Sequence, residues 1–188
     1  MPRSLLPTLH RTVAPRTLAL HFRTALHSRT LARRTVALQM SHDLFMAAAL
    51  EEAQRGLAAC EVPVGAVVVI DGQIVARAFN RPITAVDPTA HAEVIALREA
   101  ATAVGNYRLN GAVVYVTLEP CLMCVGALVH ARVSEVVYGA SEPRTGALVS
   151  AVRGLELPGL NHRFEVTGGV LEEPCRVMLQ EFFRERRR

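Results

Sequence analysis

Val64-Gly65-Ala66-Val67-Val68-Val69-Ile70, then Asp71-Gly72, then Gln73-Ile74-Val75-Ala76-Arg77-Ala78-Phe79 is the stretch that decides the fold. Val64 to Ile70 is apolar and β-branched, which suits a buried strand. Asp71-Gly72 is a two-residue hairpin signal, because a tight hairpin turn needs positive φ. Gln73 to Phe79 is then the returning strand. Working outward toward the C-terminus, Asn80 to Pro88 reads as a loop with two prolines, and a helix is expected from about Thr89 to Ala103. Ala112 to Thr117 is a strand, Cys121 to Ala131 a helix and Ser134 to Gly139 a strand. A glycine-punctuated loop with a short helix leads to a strand near Arg163 to Val166, and an amphipathic helix closes the chain from about Glu172 to Arg186. Hairpin, helix, strand, helix, strand describes a mixed sheet with helices on its faces, an α/β layered domain.

On the N-terminal side, Ser41 can cap a helix whose apolar residues Leu44, Phe45, Ala48, Ala49, Leu57 and Ala58 largely keep to one face. Residues 1–40 differ in kind: seven Arg, no Asp or Glu, and no structural period. They fit an organellar transit peptide, a disordered basic arm that helps hold RNA, or upstream sequence joined to a protein that begins at Met40. The last is favoured, because Met40-Ser41-His42-Asp43 leads straight into the helix. The domains expected are therefore a disordered Arg-rich extension, 1–40, and a catalytic domain, 41–188.

Composition narrows the class. Of the 188 residues, 51% are hydrophobic and 20% charged, enough for a real core. No apolar run approaches the roughly 18 residues that span a bilayer, so a soluble, cytoplasmic protein is expected. All 21 basic residues are Arg. Residues 41–188 hold 14 of them against 17 acidic groups, so the net +4 belongs to the extension and is weak support for nucleic-acid binding. Four cysteines are too few and too irregularly spaced for a disulfide framework. Cys60 and Cys175 read as plain apolar residues of a reduced protein. Cys121 and Cys124, three apart, read as metal ligands.

The chemistry lies in His91-Ala92-Glu93 and Pro120-Cys121-Leu122-Met123-Cys124, each where a loop enters a helix. Cys121 and Cys124 project from one side of a first turn and can grip one ion. The helix end and the metal both favour their thiolates. His91 supplies the third ligand. Three protein ligands on zinc leave a fourth position for water, which separates a catalytic site from a closed structural one. Two thiolates cancel the charge of the ion, so a base must help remove the proton, and Glu93 is placed to do so. The competing reading is a structural zinc site. It would want a fourth Cys or His, and neither Cys60, Cys175 nor His130 is suitably placed.

His-x-Glu with Pro-Cys-x-x-Cys is the signature of zinc nucleobase deaminases. Beyond that signature, Glu61-Val62-Pro63-Val64-Gly65, Asn80-Arg81-Pro82-Ile83, Asp87-Pro88-Thr89-Ala90, Asn106-Tyr107-Arg108-Leu109, Thr117-Leu118-Glu119, Asn161-His162-Arg163 and Phe182-Phe183-Arg184 run in order from residue 41 to the C-terminus. In these blocks the chain resembles the bacterial tRNA-specific adenosine deaminases. The resemblance implies a cytidine-deaminase-like three-layer α/β/α sandwich, a homodimer, and hydrolytic deamination of the wobble adenosine to inosine in a tRNA anticodon loop. It implies one Zn2+ per subunit on His91, Cys121 and Cys124, Glu93 as the catalytic proton shuttle and Asn80 in contact with the base. Read without the resemblance, Asn80 is a turn residue capping its own backbone. One departure stands out: the family's short Asp- and Lys-bearing loop is represented here by Glu142 and Arg144.

Few aromatics and no Trp leave no evident stacking platform for RNA. Arg184, Arg186, Arg187 and Arg188 either contact stem phosphates or form a solvated helix end that suits the dipole. Rival readings are deaminases of free guanine or deoxycytidylate, and a non-catalytic zinc-stabilised RNA-binding module. The Asn80-Arg81-Pro82-Ile83 block argues against the former, and an intact Glu93 against the latter.

Overall fold

The structure is a computed structural model and describes residues 39–187. The reading of residues 1–38 as an extension lies outside the described residues. Helix α1 covers residues 39–58. It is followed by β1 (Gly65–Ile70), β2 (Gln73–Phe79), α2 (Ala92–Val104), β3 (Val113–Leu118), α3 (Leu122–Ala131), β4 (Glu135–Ala140), a 3-10 turn at Gly154–Glu156, β5 (Glu165–Gly168) and α4 (Glu172–Arg186). The sheet order is β2-β1-β3-β4-β5. β1 runs antiparallel to both its neighbours, while β3, β4 and β5 are mutually parallel. The expected mixed sheet is therefore present.

Alternation along the strands sorts the core into two layers. Val67, Val69, Tyr115 and Val137 pack with Met46 and Ala49 of α1 and Cys175 of α4. Ala66, Val68, Val114, Val116 and Val136 pack with Ile95 and Leu97 of α2 and with Val125 and Leu128 of α3. Each such aliphatic side chain contributes about 1.5–3 kcal/mol on burial. Both sheet faces are thus covered, which is why β1, β3 and β4 read as continuous apolar runs rather than alternating ones.

Five expectations need correction. Ser41 lies inside α1 and does not cap it, since Gln39 and Met40 before it are already helical and both are good helix formers. The buried stripe of α1 is His42, Met46, Ala48, Ala49, Glu52, Ala53 and Gly56, so Ala48 and Ala49 are buried as expected, whereas Leu44 and Leu57 are 66% and 41% exposed and Ala58 is also exposed. Polar groups on that face are tolerated because they are satisfied: His42 Nδ1 lies 2.9 Å from the Tyr115 hydroxyl, and Glu52 accepts from Arg55 at 2.8 Å. Helix α2 starts at Ala92 rather than Thr89, because Asp87 accepts from the Thr89 amide at 2.8 Å and its hydroxyl at 2.7 Å. That local turn competes with the helix. Finally, Cys175 is buried as expected, but Cys60 is exposed, at φ 61° beyond the end of α1. The last strand also begins later than expected, at Glu165, whose amide donates to Ser134.

One glycine fixes the closest helix–sheet approach. A Cβ on Gly65 would fall 2.0 Å from the Ala49 carbonyl, so α1 lies on β1 only because residue 65 has no side chain.

Candidate active site

α2 and α3 begin beside each other near the carboxyl end of β3, where open α/β sheets place their ligands. His91 and Cys121 are the N-cap residues of the two helices, with extended backbones at φ −73°, ψ 150° and φ −75°, ψ 171°. Cys124 sits on the first turn of α3, on the side of Cys121. The three donor atoms form a compact triangle. Cys121 Sγ to Cys124 Sγ is 3.7 Å, Cys121 Sγ to His91 Nδ1 is 3.6 Å, and Cys124 Sγ to His91 Nδ1 is 3.5 Å. Tetrahedral zinc with bonds of about 2.3 Å to sulfur and about 2.0 Å to nitrogen needs edges of about 3.8 Å and about 3.5 Å. The donor set and the triangle both fit zinc, and these are the residues that the sequence singled out.

The two sulfurs share a hydrogen bond, and with His91 beside it this holds the Cys121 thiol down at about 4. The same hydrogen bond, together with burial, pushes the Cys124 thiol up. His91 is raised above its ordinary value by its bond to Cys121. Burial raises the carboxyl of Glu93, which is 4% exposed.

A cavity of about 260 Å³ opens onto the cluster. Its lining includes His91, Glu93, Cys121 and Asn80, so each sequence-predicted site residue reaches it except Cys124, which lies buried behind. Asn80 ends the hairpin; its amide donates to the Val64 carbonyl at 2.9 Å. A second cavity of about 580 Å³ shares Val62 and Leu118 with the first and is bordered by Arg144, Arg176, Arg186 and Arg187. Within the described part of the C-terminal Arg cluster, Arg184 pairs with Glu181 at 3.6 Å. Arg186 lies over the Phe182 ring at 4.4 Å and donates to the Cys60 carbonyl. Arg188 lies outside the described residues.

Two residues of the site escaped the motif reading. Glu61 is fully buried and accepts from the amides of Thr84 at 2.7 Å and Ile83 at 3.4 Å. Glu119 lines the pocket and accepts from the segment after β4. Burial pushes its carboxyl up, but bonds from Ser150, Val149 and Glu142 outweigh this and leave it below the usual range. The available signal was an acidic residue inside or beside an apolar run: Glu119 directly before Pro120-Cys121, and Glu61 directly before Val62-Pro63-Val64.

Residues 39–140 match the cytidine and deoxycytidylate deaminase zinc-binding region. The tRNA-specific adenosine deaminase of Bacillus subtilis is 48% identical over 146 residues, covering 78% of this chain and 91% of that protein. That of Haemophilus influenzae is 49% identical over 140 residues, covering 74% of this chain and 81% of its own. Among solved structures, a tRNA deaminase studied for A-to-I editing at the wobble position superposes with a TM-score of 0.71 at 44% identity, covering 72% of this chain and 98% of that one. A guanine deaminase from Bacillus subtilis gives a TM-score of 0.51 at 43% identity, over 53% of this chain and 64% of that one. The match is more complete for the tRNA deaminase, 72% of this chain against 53% for the guanine deaminase. The chain belongs to the cytidine and deoxycytidylate deaminase zinc-binding family and, within it, to the tRNA-specific adenosine deaminases.

Proposed function

We propose that this protein hydrolyses the wobble adenosine of a tRNA anticodon loop to inosine, consuming water and releasing ammonia. The observation that carries the reading is the zinc-fitting triangle of His91, Cys121 and Cys124 opening into the same cavity as Glu93 and Asn80. His91, Cys121 and Cys124 would hold zinc, one ion per chain. When bound, zinc supplies the Lewis acidity that makes water a nucleophile near neutral pH. Glu93 takes a proton from the attacking water and delivers it to the adenine ring nitrogen. It then passes a second proton to the departing amino group, so that ammonia leaves and the ring carbonyl of inosine remains. Asn80 orients the base for attack at C6. The target nucleotide must be turned out of its stack to enter, and an anticodon loop, already single-stranded, makes that turn less costly than a duplex would.

The basic border of the larger cavity suits the phosphates flanking that nucleotide. The working form is a homodimer. α3 presents Leu122 and Met123 to solvent at 50% and 37% exposure, and a second copy covering them would remove apolar surface from water. We place this activity in the cytoplasm, where its tRNA substrate is available. Among the described residues no helix is long and apolar enough to cross a membrane.

The deciding experiment incubates the zinc-loaded protein with an anticodon stem-loop bearing adenosine at the wobble position, alongside free guanine, deoxycytidylate and adenosine. Inosine in the RNA alone is expected. Turnover of a free base or nucleotide with no RNA product keeps the zinc chemistry and overturns the substrate. Sedimentation at twice the 20.5 kDa chain mass is expected for the dimer, and a single 20.5 kDa species overturns it.

A further inference from the structure

The deamination steps use Glu93 and leave a second buried carboxylate beside the metal ligands unemployed. Glu119 is 3% exposed and follows β3 directly, two residues before Cys121. Its Oε1 accepts from the amides of Leu148 at 3.1 Å, Val149 at 2.8 Å and Ser150 at 2.9 Å. Its Oε2 accepts from the Glu142 amide at 3.1 Å and from the Ser150 hydroxyl. All five donors belong to residues 142–150, the segment leaving the carboxyl end of β4, which contains neither helix nor strand.

Two further ties join that segment to the cysteine turn: the Ala147 amide donates to Pro120 at 2.8 Å, and Cys121 bridges to Gly146. Gly146 is the point of closest approach, since a Cβ there would lie 2.5 Å from the Glu119 carboxyl carbon. The segment carries Thr145, which lines the pocket, and Glu142 and Arg144, which border the adjoining cavity.

We propose that Glu119 is a positioning residue for substrate binding: acting through residues 142–150, it sets the pocket wall that meets the RNA. The proposal rests on the RNA-deaminase reading above. A loop that lacks ladder bonds must satisfy its amides elsewhere. Here one side chain does so, its two carboxyl oxygens accepting all five bonds. Glu119 itself is held between β3 and the turn bearing Cys121, so the wall is tied to the metal site and pre-formed before RNA arrives. Pre-forming a binding loop lowers the ordering cost paid on association. Ala147 and Leu148 of the segment also belong to the buried core, so amide exchange outside residues 142–150 is the readout that separates a loss of binding from a loss of folding.

The test uses the full, zinc-loaded chain with Glu119→Gln. The variant keeps volume and one acceptor oxygen for residues 148–150, but turns an amide toward the Glu142 amide, donor against donor. KM for the anticodon stem-loop is expected to rise about tenfold to a hundredfold with kcat within about threefold. Zinc should stay at one per chain and the absorption bands of the cobalt-substituted protein unchanged, while amide exchange quickens at residues 142–150 and not in α2. Ser150→Ala, which removes one donor and is safe for folding, should move KM and exchange the same way by about threefold to tenfold. Unchanged KM and exchange in both variants overturn the proposal. So does a loss confined to kcat with shifted cobalt bands, which would put Glu119 on the metal, or a uniform quickening of exchange throughout, which would make it a folding residue only. If the unmodified protein makes no inosine, the substrate reading fails instead, and the exchange data still decide whether Glu119 holds the wall.

Discussion

Two irregular segments wall the pocket, residues 80–91 and residues 141–153, and they are built on opposite plans. The first carries chemistry at both ends: Asn80 closes the hairpin and His91 opens α2, so regular structure aims both side chains. Between them the loop is held largely by its own backbone, the Ala85, Val86 and Asp87 amides donating to Arg81, Ile83 and Pro82 and the Ala90 amide to Asp87. Arg81 and Ala90 share a backbone bond at 3.0 Å, Asp87 makes its local turn, and Glu61 takes two amides, one of them at 3.4 Å. Val86 projects from its middle, 88% exposed at φ 52°, a conformation costly for a β-branched residue. The second wall brings no reacting group, and its shape depends on five bonds to one carboxylate outside it. Placing a reacting atom is a task for element ends, whereas shaping a surface for a large ligand is left to a pinned loop.

That contrast predicts a split, with kcat lost on one side of the pocket and KM on the other. The largest effect belongs to Glu93→Ala, which should lower kcat by about a hundredfold to ten-thousandfold while elemental analysis still finds one zinc per chain; retained turnover would remove Glu93 from the proton path. Next comes Asn80→Ala, for which kcat/KM on the stem-loop should fall about tenfold to a hundredfold, as expected when a buried polar partner is deleted. Normal turnover would return Asn80 to the status of a turn residue. Glu61→Gln should cost only about threefold, because one of its two bonds is long. A loss as large as that of Glu119→Gln would erase the difference between the walls. Smallest is deletion of residues 186–188. It should weaken RNA binding and flatten the salt dependence by a slope of about 1 to 2, read by titration from low to moderate salt. An unchanged slope would leave these arginines as a helix end already engaged with Phe182 and Cys60.

The same contrast separates what could be read in the sequence from what could not. β1, β3 and β4 were legible because helices cover both faces of the sheet and leave long apolar runs, and β2 because Asp71-Gly72 marks the hairpin before it. The ligand triangle was legible because the spacing of Cys121 and Cys124 has one economical use on a first helical turn. The buried face of α1 was misjudged because His42 and Glu52 sit in the stripe while Leu44 and Leu57 face solvent; hydrophobicity ranks side chains without knowing which polar atoms will find partners. Glu61 and Glu119 stayed hidden for a related reason. A carboxylate that will accept amides from a segment 22 or 23 residues away carries no local mark of it, and the ordinary expectation for Glu is water.

Gly146 gives this arrangement a history. With its missing Cβ only 2.5 Å from the Glu119 carboxyl carbon, neither position can change freely while the other stays as it is. A Cβ at 146 would also meet the Glu142 backbone carbonyl at 2.5 Å, so a side chain there needs both a shorter residue at 119 and a re-laid loop, and a shorter residue at 119 strands the amides of 142 and 148–150. Single steps in either direction are therefore penalised, and paired steps should be strongly non-additive. A lineage, or a laboratory, seeking a differently shaped RNA mouth would find it easier to exchange residues 119 and 142–150 as one inherited block than to reach it one substitution at a time.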